Sequence, residues 1–292
     1  AVPMRRYEKG RLAYYHTAAT PEYWDAHWSA VTDDAAWAAA ERGELWEYGP
    51  PLLRHLPRTG RLLEAGCGDG RMVMALRRNG FDCDGVEWAQ TTVQRTRQRW
   101  PDLPVRTGDV TRLDVPDATY AGYLSLGVVE HRQEGPEPFL AEAWRVLADT
   151  GVMILSVPCF NTVRRVKARL GCYDATVPEG CDFYQYAYAP DAMARLLEAA
   201  GFGIVETFYL DTQKGMREEC PWLRRIFWLR GIGWRLEEWL STSPTGRRAL
   251  CHMIGFVCRK RCSAGCATTE GRQASQPPLR PDCADGDMRN QL

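Results

Sequence analysis

The stretch Arg61-Leu62-Leu63-Glu64-Ala65-Gly66-Cys67-Gly68-Asp69-Gly70 constrains this chain more than any other. An apolar run ends in an acid, glycines stand at alternate positions, and a helical pattern opens at Arg71. That order reads as strand, tight loop and helix. Glycine lets the backbone turn sharply and removes the Cβ between loop and ligand, while the following helix offers free N–H groups. The dinucleotide fingerprint G-x-G-x-x-G requires a third glycine where Arg71 stands, so that cofactor class is disfavoured.

Further acidic residues and apolar runs follow at regular distances. Glu87 ends the run Phe81 to Val86, about twenty residues beyond the loop, where an acid accepts hydrogen bonds from ribose hydroxyls. Gly108-Asp109-Val110 follows a short run around Val105, and Tyr123 to Leu126 leads into Gly127-Val128-Val129-Glu130-His131. Val152 to Pro158 forms another apolar segment. Strands are expected at 61–66, 82–87, 104–107, 121–126 and 152–157, with helices at 70–79, 90–99 and 136–148. This alternation implies a parallel sheet with right-handed crossovers and a ligand site beyond the carboxyl ends of the strands.

The E-x-G-x-G-x-G loop with its downstream acids resembles motif I and the following motifs of class I S-adenosylmethionine (SAM)-dependent methyltransferases. The order and spacing are similar to the type 11 small-molecule group, over roughly residues 45 to 260. A helix ending in Ala200-Gly201-Phe202, then strand Ile204 to Leu210, fits the same pattern, and a last antiparallel strand is expected at Leu250 to Val257. The resemblance implies an α/β, Rossmann-like fold: a seven-stranded sheet of order 3-2-1-4-5-7-6, last strand antiparallel, with helices on both faces. It also implies SAM as cofactor. Glu64 would hold the methionine ammonium, directly or through water, and Gly66, Cys67 and Gly68 would line the methionine moiety. Glu87 would take the ribose hydroxyls with Trp88 against the adenine. Asp109 and Val110 would recognise the adenine edge, and the Leu126 carbonyl the amino group.

The expected activity is in-line methyl transfer to a small-molecule acceptor: a lipid, quinone, sugar or secondary metabolite. The alternative is a SAM-binding protein without turnover. His131, just past the fourth strand, is the candidate general base, with His16 and His27 as lesser candidates. Tyr14, Tyr15, Tyr23, Trp24, Tyr184 and Tyr186 are the candidate substrate contacts. Asp69 is assigned to the N-terminus of the next helix.

The domain is expected to run over residues 1–262, with a helical cap at 1–58, lid insertions at 159–188 and 211–248, and a disordered tail at 263–292. In the cap, Thr20-Pro21 opens a helix, a second spans Asp34 to Trp46, and Gly49-Pro50-Pro51 breaks it. The 211–248 segment mixes Trp222, Phe227, Trp228, Trp234 and Trp239 with Arg224, Arg225, Arg230 and Arg235. Trp228, Leu229, Ile232 and Leu236 fall near helical spacing, which favours a lid helix on the domain over membrane contact. Lys plus Arg and Asp plus Glu both total 37, so charge offers no case for nucleic acid. No Asn-Pro-Pro-Tyr-like motif follows the fourth strand. The basic start at Arg5-Arg6 lacks an apolar segment behind it, so no secretory signal is read. Eleven cysteines without paired spacing argue for a reducing, cytoplasmic setting, and Cys258, Cys262 and Cys266 lack the C-x₂-C spacing usual for zinc, so no metal is expected.

Overall fold

The fold was analysed in a computed structural model that describes residues 4–31, 34–220 and 233–261. Its frame is a seven-stranded sheet of order β5-β4-β3-β6-β7-β10-β9. The strands are β3 (Arg61–Ala65), β4 (Asp82–Glu87), β5 (Val105–Thr107), β6 (Tyr120–Leu126), β7 (Leu147–Pro158), β9 (Phe202–Leu210) and β10 (Met253–Lys260). β3 pairs in parallel with β4 and β6, β4 with β5, and β6 with β7, while β10 runs antiparallel to β7 and β9. Numbered within the sheet alone, this is the expected 3-2-1-4-5-7-6 order. The central parallel strands β6 and β7 carry long apolar runs, as strands covered by helices on both faces do, while β4 and β5 towards the edge are more polar.

One face is closed by α2 (Asp34–Glu41), α3 (Gly49–His55), α4 (Arg71–Arg78) and α5 (Gln90–Arg99), which contribute Trp37, Leu52, Val73, Leu76 and Val93 to one core cluster. The other is closed by α6 (Glu137–Val146) and α8 (Pro190–Ala199), through Leu140, Val146, Met193 and Leu197. Strands lead into these helices at the carboxyl edge of the sheet. The ends of β3, β4, β5 and β6 therefore lie side by side.

The N-terminal region differs from the expected helical cap. β1 (Met4–Glu8) and β2 (Arg11–His16) form an antiparallel hairpin, and β2 pairs with β8 (Asp182–Ala187) in a second, three-stranded sheet. The turn is Lys9-Gly10, with φ of 49° and 83°. Two residues at positive φ match the strand twist, but lysine rarely takes the first position, so the usual Asn-Gly signal was missing. Helix α1 (Pro21–Ala30) follows as expected, with Thr20 Oγ1 accepting from the Tyr23 N–H at 3.2 Å.

Other boundaries also moved. α2 ends at Glu41, a short 3₁₀ turn covers Trp46–Tyr48, and Gly49-Pro50-Pro51 starts α3 rather than breaking a helix. Prolines in a first turn forfeit no hydrogen bond, so they suit that start. The 159–188 segment is regular for much of its length. α7 (Thr162–Arg169) starts under an Asn161 cap, and alternating aromatics build β8. Leu250 ends a helix, α11 (Pro244–Leu250), instead of starting the last strand. Between β9 and β10 the described residues also form α9 (Thr212–Glu219) and α10 (Gly233–Thr242), on which Trp239 is exposed. Trp222, Arg224, Arg225, Phe227, Trp228, Leu229, Arg230 and Ile232 lie outside the described residues, as do Cys262, Cys266 and the 263–292 tail; the side chains of Trp234 and Leu236 are likewise not described. Among the described residues no helix is long and apolar enough to cross a membrane.

Candidate functional site

The glycine loop leaves β3 with its backbone fastened to β4: the Gly66 and Cys67 N–H groups both donate to the Val86 carbonyl, at 2.8 and 3.0 Å. Gly66 and Gly68 take φ of 80° and 55°. A Cβ on Gly66 would strike Val128, and one on Gly68 would strike the Trp28 ring. The loop therefore requires glycine for conformation and for space. Asp69 accepts from Arg71 Nε at 3.0 Å and from the Arg71 N–H at 3.4 Å, which places it at the start of α4 as expected.

Two buried acids flank this loop. The Glu87 carboxylate, at the end of β4, accepts from the Gly68 N–H at 2.9 Å and the Ala89 N–H at 3.0 Å. It fixes the loop to the neighbouring strand while each oxygen keeps a free lone pair. Glu64 is 4% exposed and its Oε2 has no hydrogen-bond partner. Burial pushes the Glu64 carboxyl well above its ordinary range, and the nearby charges of Asp69 and Glu87 add to that shift. A buried acid left unpartnered is costly, and a cation brought beside it removes the cost. Glu87 is also raised, by burial, against the pull of its backbone donors.

Further along the edge, the Gly108 N–H donates to the Glu87 carbonyl at 2.9 Å, which holds the end of β5 beside β4. Asp109 is exposed and its Oδ1 accepts from the Thr111 N–H and hydroxyl at 2.8 and 2.7 Å, while Val110 is buried. Trp88 is 44% exposed. Leu126 is half-buried at the end of β6, and Gly127 ties to the Ser156 carbonyl. Glu64, Gly66, Cys67, Gly68, Glu87, Trp88, Asp109, Val110 and Leu126 all stand at or just past one strand edge.

His131 lies in a short 3₁₀ turn after β6. Its Nδ1 is 2.8 Å from the Tyr184 carbonyl, an acceptor, so the proton sits on Nδ1 and Nε2 keeps its lone pair. Burial lowers the His131 pKa to about 4, against the Tyr184 bond, which raises it. The imidazole is therefore neutral at ordinary pH. Trp24 and Tyr184 meet the ring edge-on, at 5.0 and 4.9 Å between centroids, and Tyr23 reaches Tyr184 at 5.6 Å. Of the six candidate substrate aromatics, Tyr23, Trp24 and Tyr184 thus gather here. The other three do not. Tyr14 is buried beside Leu12 and Phe160, Tyr15 donates to Glu8 at 2.7 Å, and Tyr186 donates to the Gln133 carbonyl under the Arg11 guanidinium.

Three residues with no assigned role complete the site. Trp28, one turn after Trp24, rests on Gly68. Asp25 accepts from the Thr91 and Thr92 N–H groups at 3.3 and 2.7 Å and from the Thr92 hydroxyl, so α1 supplies the missing cap of α5. Burial would raise the Asp25 pKa, but these donors outweigh it and hold it low. The 24/28 spacing was the available signal for the first. The second is a contact across 66 residues, which no local pattern encodes. The third is Glu130, 2% exposed, with Oε2 unpartnered and its pKa pushed by burial to about 8.

Comparison with known proteins agrees with this architecture. Residues 63–155 match the family model described as a methyltransferase domain. A probable SAM-dependent methyltransferase of Mycolicibacterium smegmatis is 28% identical over 157 residues, 54% of this chain and 57% of that protein. The chain thus matches just over half the length of that relative. The PH0226 protein of Pyrococcus horikoshii superposes with a TM-score of 0.54 at 14% identity, over 82% of this chain and 99% of the other. A SAM-dependent methyltransferase from Mesorhizobium loti gives 0.51 at 14%, over 75% and 100%.

Proposed function

From the class I SAM-dependent methyltransferase domain that this chain carries, with SAM as its cofactor, we propose that the protein transfers a methyl group to a small-molecule acceptor. The observation that carries this reading is the glycine loop set between two buried acids, one of them, Glu64, lacking a partner on Oε2. An ammonium beside that oxygen satisfies it, and the glycines at 66 and 68 let the loop turn tightly between the two acids, under Val128 and Trp28. The residues thus fit the cofactor. SAM supplies an electrophilic sulfonium methyl when bound.

The chain's own groups do the rest. Glu64 holds the ammonium end, Gly66, Cys67 and Gly68 line the methionine part, and Glu87 accepts from ribose hydroxyls with the lone pairs its backbone donors leave free. Trp88 covers the adenine face, Asp109 and Val110 meet its edge, and the Leu126 carbonyl faces the amino group. Tyr23, Trp24 and Tyr184 wall the acceptor and exclude water, and Tyr14, Tyr15 and Tyr186 support them as framework. Orientation of this kind lowers a barrier by about 7–11 kcal/mol. His131 Nε2 takes the proton of a hydroxyl or carbon-acid acceptor, and Tyr184 holds the tautomer that makes this possible. With no excess charge in the sequence, small molecules suit this site better than nucleic acid, and eight unpaired cysteines among the described residues suit a reducing compartment.

The test is a screen of hydroxyl, phenol, amine and carbon-acid acceptors with SAM carrying a labelled methyl group. Label should appear in an acceptor, and in a His131-dependent way where that acceptor is a hydroxyl, phenol or carbon acid. Tight SAM binding with no transfer to any acceptor would instead favour a binding protein without turnover.

A further inference from the structure

A second concave site shares no residue with the one above. A cavity of about 290 Å³ lies between the β1–β2 turn, α7 and the start of α8. Lys9 reaches it from the turn, Arg165 and Arg169 from α7, and Arg195 from α8, against one carboxylate, Asp191. Arg195 lies 3.1 Å from Asp191, and Arg165 is within the field of the same carboxylate. Among the described residues, Lys9, Arg165 and Arg169 make no hydrogen bond or ion pair through their charged ends. Three positive charges therefore remain in excess at one cavity.

A surface helix explains part of this, because cations in a last turn complement its dipole. It does not explain why a hairpin turn and a second helix add cations to the same space, where like charges repel. The apolar wall is equally particular. Tyr7 is 48% exposed although its ring lies 5.6 Å from Phe160, with Ala168, Ala189 and Ala192 beside it. Arginine forks match phosphate oxygens in pairs, and an open aromatic face takes a planar or apolar body.

We propose that the cavity bounded by Lys9, Arg165, Arg169 and Tyr7 binds the phosphate or pyrophosphate group of a ligand with a planar or apolar body. The excess charge calls for a group bearing more than one negative charge, which a lone carboxylate does not supply. The proposal is independent of methyl transfer.

The probes are inorganic pyrophosphate and ADP in calorimetry, and phosphatidylcholine vesicles containing phosphatidic acid in a sedimentation assay, all with the full chain. The variant is Arg165→Ala/Arg169→Ala, both exposed positions; the charge-matched control is Arg78→Ala/Arg112→Ala, also exposed. Loss of charge-assisted hydrogen bonds should weaken pyrophosphate binding roughly 10- to 100-fold in the variant and leave it intact in the control. ADP should bind more tightly than pyrophosphate, and Tyr7→Ala should remove that difference. Vesicle binding that needs Arg165 and Arg169, without binding of the soluble probes, would support the same phosphate chemistry and assign it to a lipid headgroup. No binding of any probe, or equal weakening in variant and control, overturns the proposal.

Discussion

Two buried polar clusters in this molecule have opposite character. Around Arg164, itself fully buried, each charged side chain has an opposite partner. Its guanidinium donates to Glu219 and Glu218 at 2.9 Å each, Lys167 donates to Glu219 at 2.8 Å, Arg5 adds a further pair, and His252 meets Glu218. The cluster joins α7, α9 and β1. At the strand edge, by contrast, Glu64 and Glu130 each retain an oxygen without a partner, and both carboxyls are raised by burial. Charges that satisfy one another in this way fasten elements together, and around Arg164, among the described residues, only the neutral Tyr14 and Tyr173 hydroxyls are left without a partner. An unsaturated cluster carries a cost that only binding or proton movement can use.

The comparison is most sharply tested by removing one charge from each cluster. Arg164→Met leaves the buried Glu219 carboxylate without its buried partner, and chemical denaturation should show a loss of about 3–5 kcal/mol. Glu64→Gln keeps the shape and removes a buried acid whose carboxyl is raised by burial, so stability at neutral pH should hold or rise. Its affinity for S-adenosylhomocysteine should nonetheless fall roughly tenfold or more. If Glu64→Gln unfolded the protein as readily as Arg164→Met, the distinction would collapse.

Next in size is His131→Asn. The turnover of a hydroxyl or carbon-acid acceptor should drop by roughly 10²–10⁴-fold while binding of S-adenosylhomocysteine is unchanged. An equal loss of both would make the ring a cofactor contact.

The pH dependence of stability divides the two raised or lowered groups cleanly. Glu130, raised to about 8 in the fold, contributes stability that is present below its unfolded pKa of 4.5 and lost as pH rises through 8. Glu130→Gln should therefore be more stable than the parent by up to a few kcal/mol at pH 8, with the difference shrinking towards pH 5. His131, lowered to about 4, works in the other direction: its stability is present above 6.5 and lost as pH falls towards 4, about 3 kcal/mol in all. Denaturation midpoints from pH 4 to 8 on both variants check the signs.

The smallest effect concerns α1. Asp25→Ala removes the donated cap of α5 and should cost about 1 kcal/mol. Hydrogen exchange at Thr91 and Thr92 should rise while that at Val152 to Val157 stays unchanged.

Much of the sheet was legible in the chain because buried parallel strands are apolar runs bounded by glycine and acids, as at Leu62 to Gly70. The acids at strand ends were legible for the same reason, since a charge ending an apolar run is rarely accidental. The hairpin at Lys9-Gly10 was not, because its turn lacks the usual residues. Nor was the role of β8, whose aromatics Phe183, Tyr184 and Tyr186 alternate between faces that only β2 and His131 define. Asp25 and Trp28 read as an ordinary helix face until the loop and α5 are placed against it. Tertiary contacts of this length leave no local periodicity to detect.

The central claim is that the glycine loop and its two acids form the SAM site. Calorimetric titration of S-adenosylhomocysteine into the full chain tests it most directly, alongside Glu87→Ala and Glu64→Gln, with their folding checked by denaturation. The account predicts micromolar binding by the parent, loss in Glu87→Ala and a weakening of roughly tenfold or more in Glu64→Gln while both remain folded. Absence of binding by the folded parent protein, or binding undiminished in both variants, would contradict it.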